Sequence, residues 1–356
     1  MPEPKLTRRQ FLALSALAAA APAAFSLEAC GSDPRERVVN FFNWSKYIGK
    51  DALARFTKRT GIKVNYEEFA DEEEMFAKLR SGARGYDLAI GTDYMMDRLK
   101  GLNIIDPFPP GTLKNAVNID PQFRATPYDP DDAFTVPYLW GTTGIGYNRS
   151  KVPRPPTSWL DLWDERYKDK ISMLDNSRDC ISTALLMKGY QETTTDEKEL
   201  AAAKRLLIEQ RPLVKQYSSS TYMDGLIAGE LYLAMAWSGD VLQASREKPQ
   251  LDYVIPHEGS YMWVDNLVLV RGSQHREETL QLVDYLLEAD TAADIANTVR
   301  YASPNRAARP LLDKDLREDP RVFPTKRLAQ RLRFHSQQDP ATSQLWNEAW
   351  SDVKVG

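Results

Sequence analysis

Aromatic side chains beside polar or acidic ones, recurring where apolar runs end, are the residues of this chain best suited to chemistry. Trp44-Ser45-Lys46-Tyr47 follows the run from Val38 to Asn43, Thr92-Asp93-Tyr94 follows Tyr86 to Ile90, and Trp237-Ser238-Gly239-Asp240 follows Leu231 to Ala236. Flat apolar faces next to carboxylates suit flat or cationic ligands. Asp265 is the sharpest single signal, because it interrupts the apolar run from Tyr261 to Val270. A carboxylate there must be half-exposed or matched by a cation, since an unpaired buried charge is very costly. That cation is internal, with Arg300 and Arg271 the candidates, or it belongs to a ligand. The other residues each have a plain structural reading. Asp240 fits the first turn of a helix, Asp179 fits a solvated helix start, and Trp44 and Trp237 fit a core.

The usual catalytic constellations are missing. His257, His275 and His335 are scattered without metal-ligand spacing. There is no Gly-x-Ser-x-Gly elbow, and the glycines from Gly141 to Gly146 lack the Lys-Ser/Thr of a phosphate cradle. Nothing in the sequence therefore points to a hydrolase, and no cofactor or metal is expected.

The elements that must position these residues follow an alternating rhythm. Strands are expected over Val38–Asn43, Ile62–Phe69 and Tyr86–Thr92. Between them lie helices over Asp51–Arg59, stopped by Gly61, and over Asp71–Arg80, capped by Asp71 with Met75, Phe76 and Leu79 inward. Pro137 to Gly146 is an extended crossing segment. The rhythm then resumes with a helix at Glu197–Glu209, a strand at Leu231–Trp237 and a helix after Ser238-Gly239-Asp240. A strand at Trp263–Val270, a helix over Arg276–Glu288 and a final helix over Ala341–Val353 complete it. This alternation predicts an α/β fold of two lobes joined by extended crossings, each a mostly parallel sheet covered by helices. In open sheets of this kind ligands bind beyond the carboxyl ends of the strands, so the aromatic and acidic groups are expected to line one cleft.

Composition sets the outer limits. The chain has 356 residues and a net charge of −4 with acids and bases mixed, a balance that argues against nucleic acid. Thr7-Arg8-Arg9-Gln10-Phe11-Leu12 has the pattern of a twin-arginine export signal, and the apolar run to Phe25, broken by Pro22, falls short of a spanning helix. Leu27-Glu28-Ala29-Cys30 reads as a lipoprotein cleavage box ending on the acylated cysteine; an ordinary signal peptide with an incidental cysteine is the other reading. Both place the mature chain outside the cytoplasm. With Cys30 acylated, Cys180 has no partner, so the core and not a disulfide must hold the fold.

Taken in order, several segments resemble the spermidine/putrescine-binding proteins of bacterial polyamine ABC importers. They are Phe41-Phe42-Asn43-Trp44-Ser45-Lys46-Tyr47, Gly61-Ile62-Lys63-Val64, Tyr86-Asp87-Leu88, Pro137-Tyr138-Leu139-Trp140-Gly141, Ser158-Trp159-Leu160-Asp161-Leu162-Trp163, Trp263-Val264-Asp265 and Tyr301-Ala302-Ser303-Pro304-Asn305. The resemblance runs along nearly the whole mature chain and implies a two-lobed periplasmic-binding-protein clamshell with the ligand in the cleft. The expected division is a signal segment to residue 30, a tether over 31–36, one lobe from 37–141 with 266–309, and the other from 142–265 with 310–356.

Carried over residue by residue, the resemblance implies an aromatic box of Trp44, Tyr47, Tyr94, Trp237, Trp263 and Tyr301. It implies polar contacts at Ser45, Thr92 and Ser219, and carboxylates for ligand ammonium groups at Asp179, Asp240 and Asp265. A polyamine's methylene chain needs flat apolar walls, and its amines need aromatic faces and carboxylates. Three positions depart from the family pattern. Lys46 stands where an acid is usual, Asn176 is neutral, and the late glutamine contact falls near Ser336 or Gln337. These departures favour putrescine over spermidine, and Lys46 leaves room for a ligand that also carries a carboxylate. Another amine, a zwitterion or a sugar on the same fold is the alternative, as is a ligand sensor. An extracytoplasmic enzyme lacks a visible catalytic set. The implied partners are an ABC permease and its ATPase, with the membrane met only through the lipid anchor and the chain a monomer.

Overall fold

The computed structural model describes residues 37–82, 85–335 and 337–355. The leader, the tether, Cys30 and Ser336 lie outside the described residues.

The chain opens with β1 (Val38–Trp44), α1 (Ala52–Thr60), β2 (Lys63–Phe69), α2 (Glu72–Arg80) and β3 (Leu88–Thr92). Local chemistry sets these boundaries. Gly61 ends α1 in the left-handed region (φ 73°), its N–H bonded to the Thr57 carbonyl, a conformation a Cβ resists. The Asp71 carboxylate caps α2 by accepting from the Glu74 N–H at 3.0 Å, and Met75, Phe76 and Leu79 turn into the core. After α3 (Met96–Gly101) and β4 (Ile105–Asp106) comes β5 (Val136–Asn148), thirteen residues long and buried throughout. It is the extended crossing expected over Pro137 to Gly146.

The second half contains β6 (Ile171–Met173), α4 (Ser177–Met187), α5 (Glu197–Gln210), β7 (Val214–Tyr217), α6 (Tyr222–Ala228), β8 (Leu233–Trp237), α7 (Ser238–Ser245) and β9 (Leu251–Val254). Then β10 (Ser260–Val270), α8 (Arg276–Leu286) and α9 (Ala289–Val299) lead into the short α10 (Lys314–Arg317), α11 (Lys326–Ala329) and β11 (Leu332–Phe334), and α12 (Pro340–Val355) ends the chain. One boundary differs from expectation: Ser238-Gly239-Asp240 is the first turn of α7, not a lead-in to it. Another is the end of α8 at Leu286, two residues short of the expected Glu288, because Leu287 and Glu288 form the turn from which α9 starts at Ala289.

The strands form one continuous curled sheet in the order β2-β1-β3-β10-β5-β8-β6-β7. Its flanks are parallel, as the alternating rhythm predicts: β1 pairs with β2 and β3, and β6 with β7 and β8. The sheet as a whole is mixed, because β5 and β10 run antiparallel through the middle. β5 changes partner partway along. Val136 to Thr142 lie against β10, and Thr143 to Tyr147 lie against β8.

Hydrophobic residues collect into separate cores on the two sides of this change. One gathers Phe41, Leu88, Ile90, Val264 and Leu267 with α8 and α9, and the other gathers Trp159, Ile171, Leu233, Leu251 and Trp346. From 310–356, Leu312, Leu316 and Val322 join the first core, and Trp346, Trp350 and Val353 join the second. Cys180 is a free thiol sealed in the second core. Among the described residues no helix is long and apolar enough to cross a membrane.

Candidate ligand-binding site

A cavity of about 550 Å³ opens where the two cores meet, and the expected aromatic, hydroxyl and carboxylate contacts all line it. The aromatics are Trp44, Tyr47, Tyr94, Trp237, Trp263 and Tyr301; the hydroxyls are Ser45, Thr92 and Ser219; the carboxylates are Asp179, Asp240 and Asp265. They come from the end of β1, the turn after β3, the start of α4, the segment before α6, the β8–α7 junction, β10 and the segment after α9. Strand ends therefore supply much of the wall, as the topology of an open α/β sheet requires.

Sheet register explains several of these placements. Asp265 pairs with Thr92 across β10 and β3, which brings the Thr92 Oγ1 hydroxyl to donate to Asp265 Oδ1 at 2.8 Å. The register of β10 against β5 slips between Asp265 and Asn266, an irregularity of the kind that re-aims side chains beside functional sites. Trp263 pairs with Gly141, and a Cβ at Gly141 would come within 2.7 Å of the indole, so only glycine lets the ring lie flat on β5. Tyr301 is seated the same way over Gly239, where a Cβ would meet its ring at 2.4 Å.

The internal-salt-bridge reading of Asp265 does not hold. Arg300 pairs with Asp315 at 2.8 Å, and Arg271 pairs with Asp106 at 2.9 Å. Asp265 is 4 % exposed and has no cation beside it among the described residues. Burial pushes its pKa up to about 6, against the stabilising pull of Thr92, Tyr47 and Trp44. Beneath it the carboxylate of Glu72, also buried, accepts the Thr92 N–H at 2.8 Å, and burial raises its pKa to about 8. Of the two acids Asp265 is the one that lines the cavity, where a cation would offset its desolvation.

The other two carboxylates are held differently. Asp240, in the first turn of α7, accepts from the Tyr222 hydroxyl at 2.6 Å and the Tyr301 hydroxyl at 2.7 Å. Burial raises its pKa, opposed by those two phenols and by the Lys46 charge. Asp179, in the first turn of α4, accepts from Thr143 Oγ1 at 2.6 Å and from the Trp237 indole at 3.3 Å, while Asn176 caps the helix at the Asp179 N–H. The first-turn position of Asp240 agrees with its plain structural reading, whereas Asp179 is buried and so is not the solvated helix start expected of it; each faces the cavity.

Two polar groups of the cavity wall, the Trp263 indole N–H and the Ser219 hydroxyl, are buried without hydrogen-bond partners. A buried donor left unpaired costs about 1–3 kcal/mol.

Two features escaped the sequence reading. Gln337 donates to the Asp93 carbonyl at 3.1 Å and does not line the cavity; the residue of that stretch which does is His335. Its ring stacks on Tyr261 at 4.6 Å and its Nδ1 meets Glu192 at 2.6 Å. Tyr222, the second phenol on Asp240, was also missed, because it lies on a helix the residue pattern does not announce.

Two α/β cores that share their long strands, with an aromatic and acidic cavity at the junction, define a clamshell solute receptor. A family model described as bacterial extracellular solute-binding protein matches residues 51–325. The spermidine/putrescine-binding periplasmic protein of Salmonella typhimurium is 34% identical over 318 residues, covering 89% of this chain and 91% of its own. The putrescine-binding periplasmic protein PotF of Escherichia coli is 32% identical over 363 residues, covering 96% of this chain and 98% of its own. Among solved structures, the spermidine/putrescine ABC transporter substrate-binding protein PotD of Streptococcus pneumoniae superimposes with a TM-score of 0.77 at 28% identity, over 90% of this chain and 99% of that one. The chain belongs to the bacterial extracellular solute-binding proteins, and its relatives there include the spermidine/putrescine-binding proteins.

Proposed function

We propose that the protein is the extracytoplasmic receptor of an ABC importer and captures a polyamine between its lobes, putrescine in preference to spermidine, without transforming it. The observation that carries this reading is Asp265: a buried carboxylate with no protein cation beside it among the described residues, set among aromatic faces of the cavity. The relatives' names supply the ligand class. Trp44, Tyr47, Trp263 and Tyr301 form the walls for a methylene chain, Asp265 and Asp240 receive ammonium groups, and Ser45, Thr92, Tyr94, Asp179, Ser219 and Trp237 complete the contacts. The lobes we assign are 37–141 with 266–309 and 142–265 with 310–356, the residues from Leu312 to Val322 packing back onto the first core.

A thermal-shift screen of the leaderless chain tests the reading with putrescine, cadaverine, spermidine, spermine, agmatine, γ-aminobutyrate, amino acids and sugars. Ligand at a hundredfold over its Kd stabilises the fold by about 2.7 kcal/mol. The expected result is a shift with putrescine larger than with spermidine. A shift with a sugar or a zwitterion alone discards the polyamine and keeps the receptor.

Lys46 lines the cavity with its backbone in the left-handed region (φ 57°) and faces Asp240 closely enough to stabilise that carboxylate. Lys46→Glu therefore raises spermidine affinity relative to putrescine, read by competition calorimetry; an unchanged ratio places Lys46 outside the ligand's reach. Export by the twin-arginine route and acylation of Cys30 complete the proposal. Cys30→Ala then moves the chain from the membrane fraction to the soluble one, and continued sedimentation with membranes rejects the anchor.

A further inference from the structure

His335 closes the cavity at the end where Asp179 sits, and both of its ring nitrogens face carboxylates. Nδ1 lies 2.6 Å from Glu192 Oε1, and Nε2 lies 3.7 Å from Asp179 Oδ1. A nitrogen facing a carboxylate oxygen must carry a proton to be attracted to it, so a ring flanked on both sides is an imidazolium. The ring is 5 % exposed, stacked on Tyr261 of β10 with planes 4° apart and met edge-on by Tyr94 at 5.6 Å. Arg178 joins the group through Glu192, at 3.0 Å. Arg178, Glu192, His335 and Asp179 thus form a buried cluster whose two cations balance its two anions. The other charged groups near the ring are Asp93, in the turn after β3, whose carboxyl the imidazolium stabilises, and Arg333 of β11, beside Tyr261. Burial alone lowers the His335 pKa, but the Glu192 charge and the contacts with Asp179 and Glu192 outweigh it and hold the pKa near 9.

This cluster changes the charge the cavity offers. At its exposed rim, Lys46 and Lys50 stand against Asp224 and Glu247, two charges of each sign. Inside, Asp179, Asp240 and Asp265 stand against His335. The interior is left with two net negative charges, which a dication neutralises and a trication exceeds. Resting on the polyamine reading above, we infer that His335 is the specificity-determining residue of the cleft: by holding Asp179 within a neutral cluster, it leaves ammonium sites for a diamine and none for a third amine. Asp179 then serves the ligand as a hydrogen-bond acceptor and not as a counter-ion.

The test has two arms on the leaderless chain. Nitrogen-15 spectra at pH 7.5 read the imidazoles directly, and the chain has three histidines. The expected result is one ring, absent from the spectrum of His335→Gln, that stays protonated on both nitrogens; a neutral His335 overturns the inference. In the second arm, putrescine and spermidine affinities are measured for wild type, His335→Gln and His335→Arg at the same pH. His335→Gln raises the spermidine-to-putrescine affinity ratio tenfold or more while putrescine still binds, and His335→Arg, which keeps the charge, keeps the wild-type preference. An unchanged ratio in His335→Gln overturns the assignment. So does a variant that takes neither amine, because His335 is then a support of the wall and not a selector. A wild-type chain that binds neither amine rejects the polyamine reading itself, an outcome distinct from both.

Discussion

Asp265→Asn loses amine binding by a factor of about a hundred or more, and at neutral pH the variant melts at a higher temperature than the wild type. The two effects have one cause. Asp265 is buried, bonded to Thr92 and without a protein cation, so the fold carries a desolvated carboxylate that a ligand is left to neutralise. Removing one partner of a desolvated charge pair costs about 2–5 kcal/mol of binding, and the hundredfold loss corresponds to about 2.7 kcal/mol. Held near 6 instead of in the ordinary carboxylate range, Asp265 costs the empty folded state up to about 3 kcal/mol at pH 7. The sign follows from which form the fold prefers. The neutral acid is favoured, so the stability it lends is complete below about pH 4, the unfolded carboxylate range. That stability is gone once pH passes the folded value of about 6. The asparagine variant should therefore gain Tm at pH 7 and gain nothing at pH 4. Amine affinity of the wild type should fall as pH drops below 6, where the carboxylate takes up a proton. Full affinity in Asp265→Asn would make the residue a structural acid, and a Tm gain that persists at pH 4 would have some other origin.

Trp263→Ala is the second large effect. The indole lies on Gly141 of β5, meets Tyr301 at 5.2 Å in a T-shaped contact, and holds a buried N–H without a partner. If it is the face on which the methylene chain lies, truncation weakens binding by about 2 kcal/mol or more, roughly thirtyfold. Because Trp263 also belongs to the first core, the alanine variant loses stability, by about 3–5 kcal/mol for a buried Trp. Trp263→Phe separates the two roles. It restores a flat face over Gly141 and should recover most of the affinity, measured by calorimetry at a temperature where both variants are folded. Equal affinity in wild type and Trp263→Ala would remove the indole from the ligand's wall.

What the sequence made legible is local. An acid in an apolar run is visible without a fold, which is why Asp265 stood out, and so is an aromatic pair closing a strand, as at Trp44 and Tyr47. Helix ends were legible where one residue type enforces them, as Gly61 and Asp71 do. What stayed hidden is relational. The pairing of Thr92 with Asp265 spans 173 residues, and the contact of His335 with Glu192 spans 143. Neither has a local period. Gly141 was visible only as one of several glycines in an extended stretch; its reason, the indole lying on it, needs the register of β5 against β10. The choice between an internal and an external cation for Asp265 needed to know that Arg300 and Arg271 are already engaged elsewhere.

The long strand β5 gives half its length to each core, and the sheet runs unbroken from one flank to the other through it. Neither core can come apart alone without stripping hydrogen-bond partners from a strand the other still needs, which would expose a raw edge in its middle. The two halves are thus tied into one cooperative unit, and heat should melt them together in a single calorimetric peak instead of two.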